Sequence, residues 1–140
     1  MKTLLFFGFS FFLTMHSMAQ DIWKISLNEK IIFSASAENQ EKNIVNIKSS
    51  DLQKKKEFSL VYTEKPKKTD WIRSIIVVGE DDHELLREEN SKIKIKNAAL
   101  DSLFAKSKTL KIYTISLPKD PAKRATVRVR RVHLCTVIKQ

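Results

Sequence analysis

The sequence predicts an all-β, mainly antiparallel fold: a β-sandwich of about eight strands with one short connecting helix. Three observations lead there. Ile, Val, Thr, Phe, Tyr and Trp gather in short runs between polar, charged stretches. Several of these runs alternate apolar and polar residues, the period of a half-buried strand. Pro66, Pro118 and Pro121 all fall between runs, where they remove no ladder hydrogen bond. A parallel α/β fold would need a helix between most strands, and the sequence offers only one short helix. A transmembrane barrel needs two girdles of aromatic residues, and beyond residue 19 the chain has only seven aromatics.

Taken in order, Trp23, Ile25 and Leu27 alternate with Lys24 and Ser26, and Asn28-Glu29 reads as a tight turn. Ile31, Phe33 and Ala35 return, and after the polar loop Glu38–Lys42 the next run holds Asn43, Val45 and Ile47. Asp51–Lys55 suits a single helical turn. Phe58, Leu60 and Tyr62 alternate again before the loop Glu64–Asp70. Trp71–Val78 is the most continuously apolar run, as expected of a strand covered on both faces at the centre of the sheet system. Lys92–Lys96 is strictly alternating. From Asn97 to Lys106, Leu100, Leu103 and Phe104 follow helical spacing, with Asn97 placed to cap. Leu110, Ile112 and Thr114 lie on one face of a further strand. The last run, Ala125–Ile138, changes phase: Val127 and Val129 are odd, Val132 and Leu134 even. A β-bulge near Arg130-Arg131 would restore one buried face.

Residues 1–19 have a different character. Met1-Lys2-Thr3 is a short basic start, Leu4–Leu13 is apolar, and Ser17 and Ala19 are small residues two apart. These are the three parts of a secretory signal peptide, with cleavage after Ala19. The apolar run is too short for a spanning helix, which needs roughly twenty residues. No cysteine lies near the cut to carry a lipid. Residues 20–140 then form a single β-sandwich domain with no transmembrane segment. The expectation is export to the periplasm or beyond it, and the Lys/Ile/Asn-rich composition suits a Gram-negative bacterium. Without the leader the 140-residue chain becomes 121 residues, and its formal charge falls from +10 to +9. Cys135 is then its one cysteine and Gly79 its one glycine, so no internal disulfide forms.

That composition excludes several chemistries. Phosphate loops and Gly-x-Ser-x-Gly elbows need more glycine than the chain has. His83 and His133 are fifty residues apart in the sequence, and His133 and Cys135, on one face of a strand, lack a third ligand. Cys135 sits in an apolar strand, where a thiol is inert. Glu80-Asp81-Asp82-His83-Glu84 lacks the spacing of an EF-hand loop and reads as a solvated hairpin tip. No catalytic residue, metal ligand or cofactor is nominated.

The basic residues carry the remaining signal. Lys54-Lys55-Lys56 and Lys65, Lys67 and Lys68 sit in loops, where charge is ordinarily just solvated. Near the C-terminus Lys119, Lys123, Arg124, Arg128, Arg130 and Arg131 crowd together, and four of the six arginines lie within eight positions. In a strand, Arg128 and Arg130 would share a face about 7 Å apart, and guanidinium forks suit phosphate or carboxylate. Lys123, Arg124, Arg128, Arg130 and Arg131 are therefore the candidate binding residues. Their partner would be an anionic polymer, a lipid surface or an acidic protein. Nucleic acid is disfavoured, since no aromatics interleave with the arginines for stacking. Alternatively, the arginines guard an edge strand and pack their stems on aromatic rings. The expectation is a non-enzymatic exported binding or structural protein of the bacterial envelope. The alternative is an envelope hydrolase whose carboxylates meet only in space.

Overall fold

The computed structural model describes residues 20–140; the segment 1–19, read above as a signal peptide, lies outside them. Nine strands and three short helices follow one another: β1 (Ile22–Leu27), β2 (Lys30–Ala35), β3 (Ile44–Ile47), α1 (Ser49–Leu52), β4 (Glu57–Thr63), β5 (Trp71–Val78), β6 (Glu84–Glu88), β7 (Lys92–Lys96), α2 (Asn97–Lys106), β8 (Thr109–Pro118), α3 (Pro121–Arg124) and β9 (Val132–Lys139). They build a four-stranded sheet, β2-β1-β4-β7, and a five-stranded sheet, β3-β9-β8-β5-β6. Strand pairs are antiparallel, with β3–β9 the one parallel pair among the described residues. The architecture is a mainly antiparallel β-sandwich. Among the described residues no helix is long and apolar enough to cross a membrane.

The alternating runs behave as their period demands. Trp23, Ile25 and Leu27 on β1, Phe58, Leu60 and Tyr62 on β4, and Ile93 and Ile95 on β7 turn one face of their sheet inward. Ile75, Val77, Leu110, Ile112, Cys135 and Val137 meet them from the other sheet in one buried cluster. Each such side chain contributes roughly 1.5–3 kcal/mol through lost contact with water. Asn28 and Glu29 form the two-residue turn between β1 and β2, both at positive φ (53° and 71°), the geometry of the hairpin turn that matches strand twist.

Several local expectations are corrected. β5 is buried from Ser74 to Val78, but β8, not β5, is the central strand of its sheet. β6 was not expected, because its two leucines are adjacent within a charged stretch; Leu86 pairs with Val77 and Leu85 is the extra residue of a bulge. Asn97 opens α2 rather than capping it: the cap position is Lys96. The Asn97 amide nitrogen instead donates to Asn28 Oδ1 and to the carbonyls of Asp51 and Lys54, drawing the β1–β2 turn and the end of α1 onto the start of α2.

The C-terminal run is corrected most. Residues 125–131 are not strand. Four arginines and lysines among residues 123–130 are exposed, as is Val129, so the segment has no face to bury. The phase change does occur, but at Leu134. Cys135 pairs with Ile112 and His133 with Tyr113, which leaves Leu134 as the extra residue of a bulge. Leu134 and Cys135 both join the inner core. His133 and Cys135, two apart, therefore point to opposite faces instead of sharing one. The bulge also turns the Leu134 carbonyl toward the opposite sheet, where Trp23 Nε1 donates to it at 3.0 Å in a buried bond.

Replacing Trp23 with Phe keeps most of the apolar area but orphans this carbonyl. An unsatisfied buried acceptor costs about 1–3 kcal/mol. Urea denaturation of Trp23→Phe should show a lower midpoint at an unchanged slope; an unchanged midpoint would mean that this bond does not hold the sheets together.

Candidate binding cleft at the open end of the sandwich

At one end of the sandwich the inner faces run out into loops. β4 delivers Tyr62 to this end from one sheet, and β5 delivers Trp71 and Arg73 from the other. Tyr62, the last inward residue of β4, still belongs to the core, whereas Trp71 and Arg73 at the start of β5 are only partly buried, and polar groups close the gap.

Arg73 is the centre of that closure. Its guanidinium lies 4.1 Å over the Tyr62 ring, and Tyr62 stacks in turn on Trp23 with ring centroids 5.9 Å apart. Arg73 Nη2 donates to Glu64 Oε1 at 2.5 Å and Nη1 to Thr114 Oγ1 at 3.1 Å. The Arg73 and Glu64 side chains are only 13% and 16% exposed. Tyr62 OH donates to Asp21 Oδ2 at 2.6 Å. Burial, and then this bond to a carboxylate, push the phenol's pKa above its usual value, so it stays a proton donor.

The carboxylates of Asp21 and Glu64 are fully engaged, whereas exposed Glu89, at the rim of the cleft, makes no hydrogen bond or ion pair among the described residues. Asp21 Oδ1 accepts from the Lys65 backbone N–H at 2.8 Å, and Glu64 Oε2 from that of Lys68 at 3.1 Å. All four oxygens of Asp21 and Glu64 thus accept a bond from the protein. The lysine side chains are not engaged in the same way. Lys65 and Lys67 make no ion pair among the described residues, and the Lys68 ammonium sits 4.9 Å over Trp71.

Three adjoining hollows open between these groups. One, about 420 Å³, lies between Tyr62, Trp71, Lys67, Lys68 and Asn90. The second, about 350 Å³, is lined by Lys65, Lys68, Arg73, Ser116 and Arg130. The third, about 460 Å³, continues past Asp21, Glu38, Lys65 and Arg130. Tyr62 lines all three.

The predicted arginine cluster is divided by the fold. Arg130 lines the cleft and pairs with Glu38. Arg131 turns to the outer face of the five-stranded sheet, lying 4.8 Å over Tyr113 and donating to Asp82 at 2.8 Å. Beside Arg131, the Asp82 carboxyl is held below its ordinary range. Arg124 Nε folds back onto the Pro118 carbonyl at 2.7 Å. Lys123 and Arg128 are exposed and unpaired among the described residues. The arginines lie outside β9, which runs between β3 and β8 in its sheet but pairs with β3 only from Thr136 to Lys139, and Arg131 packs on an aromatic ring. Lys119 N–H donates to the Asp70 carbonyl at 2.8 Å and so joins the arginine loop to the 64–70 loop. Sequence reasoning set Lys65 and Lys68 aside as loop charge and did not single out Tyr62 or Trp71. Only the hydropathy of Trp71 in a loop-bounded strand could have flagged them.

Elsewhere the chemistry is quiet. Cys135 is buried, and desolvation raises its thiol pKa, which suppresses the reactive thiolate. Among the described residues no three His, Cys, Asp or Glu side chains gather to hold a metal ion. His133 is buried, with Nε2 3.0 Å from Thr136 Oγ1 and no partner for Nδ1. The chain matches no protein-family model, and no curated protein matches it in sequence.

Two measurements test these interactions. Arg73→Met leaves Glu64 charged in a largely buried site and should cost about 3 kcal/mol. Adding Glu64→Gln should recover most of that loss in urea denaturation; a double variant as unstable as the single would show that Arg73 acts through packing alone. Burial also lowers the His133 pKa below its ordinary 6.5. The unfolded chain then takes up this proton before the folded one does, so stability present above pH 6.5 falls as pH drops below it. Thermal melts across that range should show the decline, and His133→Gln should flatten it.

Proposed function

We propose that this is an exported, non-enzymatic binding protein of the bacterial envelope that takes an anionic partner at the open end of the sandwich. One observation carries the reading: the carboxylate oxygens of Asp21 and Glu64 are all occupied by internal bonds, while Lys65 and Lys67 keep free ammonium groups. Arg73 neutralises Glu64 and Arg130 neutralises Glu38, and against the remaining carboxylates of Asp21 and Glu89 the cleft sets Lys65, Lys67 and Lys68, a net positive charge. Arg130 lines the cleft in its pair with Glu38, and exposed Lys123 and Arg128 with the free nitrogens of Arg124 steer an anion toward it. Tyr62 and Trp71 add apolar walls. The basic start, apolar run and small-residue site of residues 1–19 support export.

The hydrolase reading has less support. Asp21 and Glu64 do share the cleft, but a general acid or nucleophile needs a free oxygen directed at substrate, and neither has one.

Protein recovered from the periplasm or medium should begin at Gln20 and bind heparin, eluting at a defined salt concentration. Lys65/Lys68→Ala and Arg124/Arg128/Arg130→Ala should each elute at clearly lower salt. Lys106/Lys108→Ala, which removes as much charge as the first variant at the far end of β8, should shift elution less. Equal shifts for the two lysine pairs would reduce the binding to net charge and overturn the cleft as its site.

A further inference from the structure

Four strands form the edges of the two sheets: β2 and β7 in one, β3 and β6 in the other. Unpaired backbone groups on an edge strand can accept another strand unless something guards them. Three edges are guarded. β7 carries Lys92, Lys94 and Lys96 on its exposed face, β6 carries Glu84, Arg87 and Glu88, and β3 is only four residues long. β2 differs. From Ile31 to Ala35 it has no charge, and Ile31 and Ile32 are 57% and 38% exposed. The connection from β2 leads straight to β3, and the connection from β6 straight to β7, so each pair of edges shares a flank. One flank is charged; the other exposes Ile31, Ile32 and Ile44.

We propose that β2 is the interface to a second copy of this chain, paired antiparallel so that two four-stranded sheets join into one of eight strands. The pattern of β2 itself selects this occupant. Twofold antiparallel pairing requires opposed residues to point to the same face. Ile25 pairs with Phe33 and Ser26 with Ile31, which leaves Ile32 as the extra residue of a bulge. The other five positions are symmetric about Phe33: Ile31 and Ser34 face outward, Lys30 and Ala35 inward. Setting Phe33 against its equivalent in the second copy places Ile31 opposite Ser34 and Lys30 opposite Ala35. No like charges meet, and the exposed isoleucines of both copies gather at one seam.

Sedimentation equilibrium of the purified protein should show a dimer. Both copies are positively charged, so high salt should preserve or strengthen it, the opposite of its effect on anion binding. Ile31→Lys and Ile32→Lys alter exposed side chains and should be folded monomers by circular dichroism, whereas Ile44→Lys should remain dimeric. Ile31→Cys/Ser34→Cys should crosslink two copies on oxidation, with Cys135 too buried to take part. A wild type that stays monomeric at all concentrations overturns the proposal. So does a dimer that survives both β2 lysine variants, or one lost only in Ile44→Lys.

Discussion

The bond from the Trp23 indole to the Leu134 carbonyl is the constraint on which much of this sandwich depends. Hydrophobic packing alone leaves two sheets free to slide, since it is not directional. A buried donor with one acceptor is directional, and this one joins β1 of the first sheet to β9 of the second. It exists because Leu134 is the extra residue of a bulge, which frees its carbonyl from the ladder. The same bulge puts Leu134 and Cys135 together in the core and turns His133 to the opposite face. One inserted residue thus supplies the bond between the sheets, two core side chains, and the switch of face that follows the arginine segment.

At the open end polar chemistry does what apolar packing does elsewhere. Trp23 stacks on Tyr62, and Arg73 lies on Tyr62 with its nitrogens on Glu64 and Thr114. A buried ion pair brings a desolvation cost that its mutual attraction only partly offsets, so this cluster is a poor device for stability alone. Its geometry has a clearer consequence. Asp21 and Glu64 bond inward and to the backbone, and the lysines beside them remain open to solvent. The charge of the cleft follows from which side chains the fold brings together, with Lys65, Lys67, Lys68, Arg73 and Arg130 against Asp21, Glu38, Glu64 and Glu89.

The alternating strands were legible because their signal is local. In β1, β4 and β7 every second residue is apolar and the residues between face water, so the period alone identifies both strand and face. What escaped were the places where that period breaks. Ile31-Ile32, Leu85-Leu86 and Leu134-Cys135 are adjacent apolar pairs, and each coincides with a register shift. Adjacent apolar residues in a short strand were the available sign of a bulge. The odd-to-even phase change in the last run points to a bulge at the right end of the chain but a few residues early, at two arginines that the fold leaves outside the strand. The arginine cluster was visible by composition, whereas its division among a cleft, an outer face and a turn was not.

By itself the sequence determined the all-β class, most strand positions and the residues available for the core, because side-chain alternation in a strand is set by neighbours two positions apart. Tertiary structure alone decided which charges are occupied and which are free. Arg130 and Glu38 are 92 residues apart, Tyr62 and Asp21 41, and Arg131 and Asp82 49. No local pattern encodes such pairings. They follow from sheet order and register, and those in turn fix the one flank that exposes isoleucines and the one end left open.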